Sequence, residues 1–269
     1  MELLDRPRDE ACRVVALKYL DEAVLAKERL GHDEEALHDL RVALRRFRST
    51  LRAWRPVLGR LRRRQRNPLR RIIDATGGAR DAEVLLKLYA EEQLTDGPLI
   101  ADLERKKAEG YALLLSRLDE FDRLDARLRR SLARVELDLL HPHKLAHTLA
   151  DLLDDHTDDV EDDLFDLRAA TQVEEAHAAR IACKRLRYLI EPYKDEPAIA
   201  KLVQELKGLQ DVLGDLHDAH IAMHEAAELP DVHARLVARQ DRLYAQLDRG
   251  AVATLIKDAH ALAVELRRR

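Results

Sequence analysis

The chain has 269 residues, 46% of them hydrophobic, enough to bury a sizeable core, which argues against an intrinsically disordered protein. Only 4% are aromatic, and 9 Gly and 8 Pro stand against 36% charged residues, a composition that favours helices and leaves little room for a β-sandwich or barrel. The 47 basic and 51 acidic residues sum to a formal charge of −4, which taken alone speaks against a polyanionic partner.

The first residues, MELLDRPRDE, carry charge where a signal peptide needs an apolar stretch, and nowhere do 18 apolar residues run together. A soluble, cytoplasmic protein with no membrane contact is expected. Cys12 and Cys183 lie far apart without Cys-x-x-Cys spacing, so they read as small core residues of a reducing compartment. Gly31, Pro56, Pro68, Gly77, Gly97, Pro142, Pro192, Pro197, Gly214 and Pro230 punctuate stretches of helical apolar spacing. They divide the chain into about ten predicted helices and no strand.

The next helix carries two parallel stripes. Leu37, Leu40, Leu44, Phe47, Leu51, Trp54 and Leu58 alternate three- and four-residue steps and form a core seam. Displaced by one residue, about 100° around the axis, lie His38, Arg41, Arg45, Arg48, Arg52 and Arg55. Arg41 to Arg71 holds 13 arginines and no acid. Like charges three or four residues apart cost roughly 0.2–0.5 kcal/mol per pair, so an unrelieved stripe points to an extended anion that neutralises it. Pro98 to Leu140 is expected to be one long helix with both charge signs on its solvated face. Asp151 to Glu175 is the acidic counterpart, with 11 Asp or Glu against Arg168, and is expected to be a solvated loop or arm.

The pattern of the first half then recurs. HDLRVALRRFR at His38 aligns without gaps to HAARIACKRLR at His177, an offset of 177 − 38 = 139. LRRIIDATGGARDAEV from Leu69 aligns to LKGLQDVLGDLHDAHI from Leu206, an offset of 206 − 69 = 137, pairing Arg70 with Lys207, Gly77 with Gly214 and Asp81 with Asp218. A single domain built by duplication, with halves 1–139 and 140–269 about a pseudo-twofold axis, is expected. The second seam is Ala179, Cys183, Leu186, Ile190 and Tyr193, and the second stripe is His177, Arg180, Lys184 and Arg187. Glu191 replaces Arg52, so the second track is shorter and ends in an internal ion pair. Arg46 and Arg185 flank the two stripes. Asp231 to Arg269 closes the chain as another predicted long helix.

Arginine's planar fork suits the paired oxygens of phosphate. Reading single-stranded nucleic acid needs aromatic platforms, and these helices offer few, while no helix-turn-helix, zinc finger or RNA-binding signature occurs. A polyphosphate chain asks only for spaced cations.

The paired H-x-x-R-[VI]-A-x-[KR]-R-x-R helices, with KRLRYLIE from Lys184 and the G-x-x-[RH]-D elements at Gly77 and Gly214, resemble the CHAD domain, the conserved histidine α-helical domain. The resemblance implies an all-α fold of two helical-bundle halves around a basic channel that binds inorganic polyphosphate, and an association with polyphosphate granules. Carried over by position, it implies a binding set of His38, Arg41, Arg45, Arg46, Arg48, Arg52 and Arg70 with His177, Arg180, Lys184, Arg185, Arg187 and Lys207. Some members carry a fused triphosphate tunnel metalloenzyme domain, whose E-x-E-x-K strand is missing here. No cofactor, catalytic residue or resident metal is expected. Two rival readings remain: a metal-dependent phosphohydrolase, motivated by His217, His220 and His224 beside Asp218 or by His141, His143 and His147, and a nucleic-acid-binding protein.

Overall fold

The structure, a computed structural model, describes residues 3–33, 35–92, 97–135, 143–225 and 230–269. Among these residues eleven α-helices, two 3-10 turns and no strand are found, in line with the all-α expectation. They form two compact units, one drawn from Asp9–Leu140 and the other from Met1–Arg8 with His141–Arg269. The first residues therefore belong with the later part of the chain. Arg8 N–H donates to the His143 carbonyl at 2.8 Å, and Leu145 N–H to that of Arg6 at 3.1 Å. The expected boundary at 139–140 falls outside the described residues.

The Asp9–Leu140 unit comprises most of α1 (Arg8–Arg29), then α2 (Ala36–Ala53), the short α3 (Arg55–Leu58), α4 (Arg63–Glu91), α5 (Gly97–Leu118) and α6 (Phe121–Leu132). Leu37, Leu40, Leu44, Phe47 and Trp54 are buried as the seam requires. Pro56 starts a separate turn after Trp54, because proline fixes the chain at a first helical turn and offers no N–H to continue α2. Arg55 thus leaves the α2 stripe. The single helix expected from Pro98 to Leu140 is two, broken at Asp119 and Glu120. Phe121, Leu124, Leu128 and Leu132 then open a new apolar face, all buried.

The other unit holds α7 (Leu145–Asp166), α8 (Val173–Ile190), α9 (Pro197–Glu225), α10 (Pro230–Ala245) and α11 (Arg249–Arg267). Most of the acidic run is helix α7, not a loop. Leu149, Leu153, Thr157, Val160 and Leu164 give it a buried face, and its acids meet α11. Arg267 pairs with Asp154 at 2.6 Å and Asp151 at 3.0 Å, and His260 Nδ1 with Asp154 at 2.9 Å. The Asp154 carboxyl sits below its ordinary pKa: burial opposes this, but the hydrogen bonds from His260 and Arg267 and their charge prevail. Arg249 donates to the carbonyls of Leu164 and Leu167, satisfying the C-terminal end of α7.

The predicted helix from Asp231 is likewise two. Asp248 caps α11 by accepting from Gly250 N–H at 2.8 Å and Ala251 N–H at 3.1 Å, which ends the preceding segment. Corresponding helices match in length: α2 and α8 have 18 residues each, and α4 and α9 have 29 each. Both cysteines are buried and free. Burial, with a smaller contribution from Asp163, pushes the Cys183 thiol up to about 12, consistent with a packing residue.

Candidate functional site

Within the Asp9–Leu140 unit, His38, Arg41, Arg45, Arg48 and Arg52 follow one face of α2 beside the buried seam. Fourteen residues at 1.5 Å each give the track a length of about 21 Å. Arg41 bends from α2 to α4 and donates to Asp81 Oδ1 at 3.1 Å. It runs directly over Gly77, where an added Cβ would stand 3.2 Å from Arg41 Nη1. The first G-x-x-[RH]-D element thus has a packing reason: glycine clears the path of the arginine and aspartate receives it. Arg45, Arg48 and Arg52 have no acidic partner among the described residues. Arg46 leaves the face, lying over the Tyr19 ring at 5.9 Å and 3.9 Å from Glu22 on α1. Arg70 is exposed and pairs with Asp74 at 3.3 Å. Arg80 pairs with Glu83 at 3.2 Å, and Glu83 also accepts from the Tyr111 hydroxyl at 3.0 Å. Burial, then Glu83, raises the Tyr111 phenol to about 12.

In the other unit, α8 and α9 carry the residues of the second stripe, on different supports. Arg180 lies over Gly214 of α9, where a Cβ would be 3.9 Å from Arg180 Nε. Arg187 Nε donates to Gln210 Oε1 at 2.9 Å, and buried Gln210 donates onward to the Cys183 carbonyl at 2.8 Å. Arg187 also meets Glu191 at 3.6 Å and lies 4.9 Å from the Tyr188 ring centroid. Arg185 and Lys207 are exposed, on α8 and α9. Arg185 is close enough to the α7 carboxylate of Asp163 to draw its pKa down, although burial and neighbouring acids raise it overall.

His177 comes together with a residue outside the proposed binding set. Its ring centroid is 5.1 Å from that of His217 on α9, with the rings tilted by 41°. Burial first, then Arg180, His177, Lys184 and His220, pushes His217 down to about 4. His177 is lowered too, by burial and then by Arg180 and Lys184. Both imidazoles are therefore neutral near pH 7 in the free protein. In the repeat alignment His217 occupies the place of Arg80. His220 does not join it in a metal triad. It is buried, with Nε2 3.0 Å from the Ala170 carbonyl and 2.9 Å from Gln240 Nε2. Among the described residues, the one His/Cys/Asp/Glu group with metal-ligand spacing is Asp158, Glu161 and His260, and exposed acids commonly cluster without an ion. Of the other histidine cluster, His141 lies outside the described residues and His147 is exposed.

The CHAD domain family profile matches residues 13–227. The chain belongs to the CHAD domain family. Polyphosphate binding is the known property of that family. The fold is similar to that of the crystal structure of the CHAD domain from the plant Ricinus communis, with a TM-score of 0.71 and 20% identity over 97% of this chain and 94% of that one. It is also similar to PptA from Streptomyces chartreusis, with a TM-score of 0.62 and 17% identity over 96% of this chain and 99% of that one. No protein of curated function matches the sequence. Among the described residues of this CHAD chain, no helix is long and apolar enough to cross a membrane.

Proposed function

We propose that this CHAD protein binds inorganic polyphosphate along the cationic faces of α2–α4 and α8–α9, without turning it over, and associates through it with polyphosphate granules in the cytoplasm. The observation that carries the reading is the line of Arg45, Arg48 and Arg52 along one helix face, unmatched by any acid among the described residues, whereas the charges of α5 are interleaved and paired. On α5, Arg105 holds Asp102 at 2.5 Å and Glu109 at 2.7 Å. A row of three unneutralised guanidiniums spread over about 10 Å, continuing a basic track of about 21 Å, suits a linear polyanion better than a point ligand.

Long-chain polyphosphate titrated into the protein should bind, and the Arg41→Glu/Arg45→Glu/Arg48→Glu variant should lose binding while keeping its helical circular dichroism. Retained binding in that variant refutes the site. Affinity should fall steeply with salt, because association releases counterions. Duplex or single-stranded DNA that displaces polyphosphate at equal phosphate concentration would show the ligand assignment to be wrong. Phosphate release in the presence of Mg²⁺, Mn²⁺ or Zn²⁺ would refute the non-catalytic reading.

A further inference from the structure

We propose that the cleft between the start of α4 and α6, within the Asp9–Leu140 unit, is a second anion site shaped for a short run of linked phosphates. The cleft has a volume of about 610 Å³, inside the size range of small-molecule sites. Arg63, Arg64 and Arg71 line it from α4 and Arg123 and Arg127 from α6, against the single carboxylate of Glu120. The lining charge is 5 − 1 = +4. Glu120 is occupied by Arg71 at 2.8 Å, and the other four arginines have no acidic partner among the described residues.

Acids are not scarce nearby. On α6, Asp125 holds Arg129 at 2.8 Å, Asp122 holds Lys27 of α1 at 2.5 Å, and Arg129 reaches Asp21 of α1 at 2.8 Å. The helix thus commits its acids to one side and presents Arg123 and Arg127, one turn apart, to the cleft. That arrangement is unfavourable until an anion relieves it. The frame is also fixed beforehand. Buried Gln65 of α4 donates to the Arg127 carbonyl at 3.1 Å and Ser131 Oγ at 2.8 Å, and accepts from Arg62 N–H at 3.2 Å. The two helices that carry the arginines are therefore tied together independently of any ligand.

Guanidinium forks recognise paired phosphate oxygens. Four free forks in one small cleft match three or four phosphates in sequence, whereas a single phosphate or sulfate would leave most of the charge unmet. The site shares no residue with the α2 face and does not rest on the polyphosphate reading of that face. The same phosphates could belong to a small oligophosphate, such as a nucleoside triphosphate, or to a segment of a longer chain.

Calorimetric titration of the full chain with inorganic tripolyphosphate, adenosine triphosphate and long-chain polyphosphate tests the site. Each is measured in the wild type, in Arg45→Glu/Arg48→Glu and in Arg63→Glu/Arg127→Glu, with thermal melts confirming that each variant folds. Tripolyphosphate binding should weaken by at least about tenfold in the cleft variant and by under about threefold in the α2 variant. The milder Arg123→Gln/Arg127→Gln variant should show a smaller loss in the same direction. Loss of tight adenosine triphosphate binding together with tripolyphosphate binding in the cleft variant identifies a small ligand, and loss of tripolyphosphate and long-chain binding without any adenosine triphosphate binding identifies a chain segment; both support the site. Tripolyphosphate binding that survives the cleft variant, or sulfate binding as tightly as tripolyphosphate, overturns it. Loss of long-chain binding in the α2 variant alone bears on the polyphosphate face and leaves the cleft result readable.

Discussion

On α2 the cations Arg45, Arg48 and Arg52 have no acidic partner among the described residues, whereas on α8 Arg187 is shared among Gln210, Glu191 and the Tyr188 ring. The first face also puts Arg80 where the second puts His217. One sequence pattern has therefore yielded a face of permanent, loosely held charge and a face that is shorter, more tightly braced and partly titratable. The difference shows which repeated positions tolerate variation. The arginine above a glycine is kept in both, Arg41 over Gly77 and Arg180 over Gly214, while the cations farther along each helix differ in number and support.

Charge reversal on each face should break this comparison most sharply. Arg45→Glu/Arg48→Glu should weaken polyphosphate binding by more than about a hundredfold with the melting temperature nearly unchanged, since these side chains hold nothing in place. Arg180→Glu/Lys184→Glu/Arg187→Glu should weaken binding less and destabilise more. Arg187→Ala alone removes the donor to buried Gln210, and an unsatisfied buried acceptor costs about 1–3 kcal/mol. Its melt should fall by several degrees, while Arg48→Ala, the equivalent change on α2, should leave the melt unmoved. Equal melts for these two single variants would show that the brace has no energetic weight.

The seams were legible because burial enforces the three- and four-residue spacing, and the same logic applied to Leu149, Leu153, Val160 and Leu164 would have recovered α7 despite its acidity. Composition misled there because the partners of Asp151 and Asp154 lie over a hundred residues away on α11. The Asp248 cap was also readable, as an aspartate just before Gly250 and Ala251. The break at Asp119 and Glu120 was not, since neither residue is a helix breaker. The α4–α6 cleft was hidden for another reason: Arg63 and Arg127 are joined by tertiary packing through Gln65, which leaves no periodic trace. The pairing of His177 with His217 is intermediate, being implied by the repeat once both helices are placed.

A smaller effect separates the faces by pH. In the free protein, His177 and His217 are held neutral by burial, Arg180 and Lys184, and His217, with a value of about 4, is lowered further by His177 and His220. A bound polyanion supplies the missing negative charge and raises both values, so binding takes up protons. Affinity should therefore rise several-fold as pH falls from 8 to about 5, and His217→Gln should flatten that slope. Stability runs the other way in the free protein. The unfolded histidines charge near 6.5 and the folded His217 only near 4, so their contribution is full above about pH 6.5 and is lost as pH falls through about 4. Calorimetry in buffers of different ionisation enthalpy counts the protons directly. No proton uptake on binding would remove the histidine pair from the site.

The two glycines give the finest test. Alanine in the middle of a helix is favoured over glycine by about 0.5–1 kcal/mol, so each substitution starts with a gain. At Gly214 the new Cβ would stand at ordinary contact distance, 3.9 Å from Arg180 Nε, and the gain should survive as a melt raised by a few degrees with binding unchanged. At Gly77 it would stand 3.2 Å from Arg41 Nη1 and 3.8 Å from Asp81 Oδ2, so the flexible guanidinium must shift off its aspartate. Gly77→Ala should therefore gain less stability and change polyphosphate affinity by a few-fold. Identical melts and affinities for the two alanine variants would mean that the contact between Arg41 and Gly77 does not position the arginine.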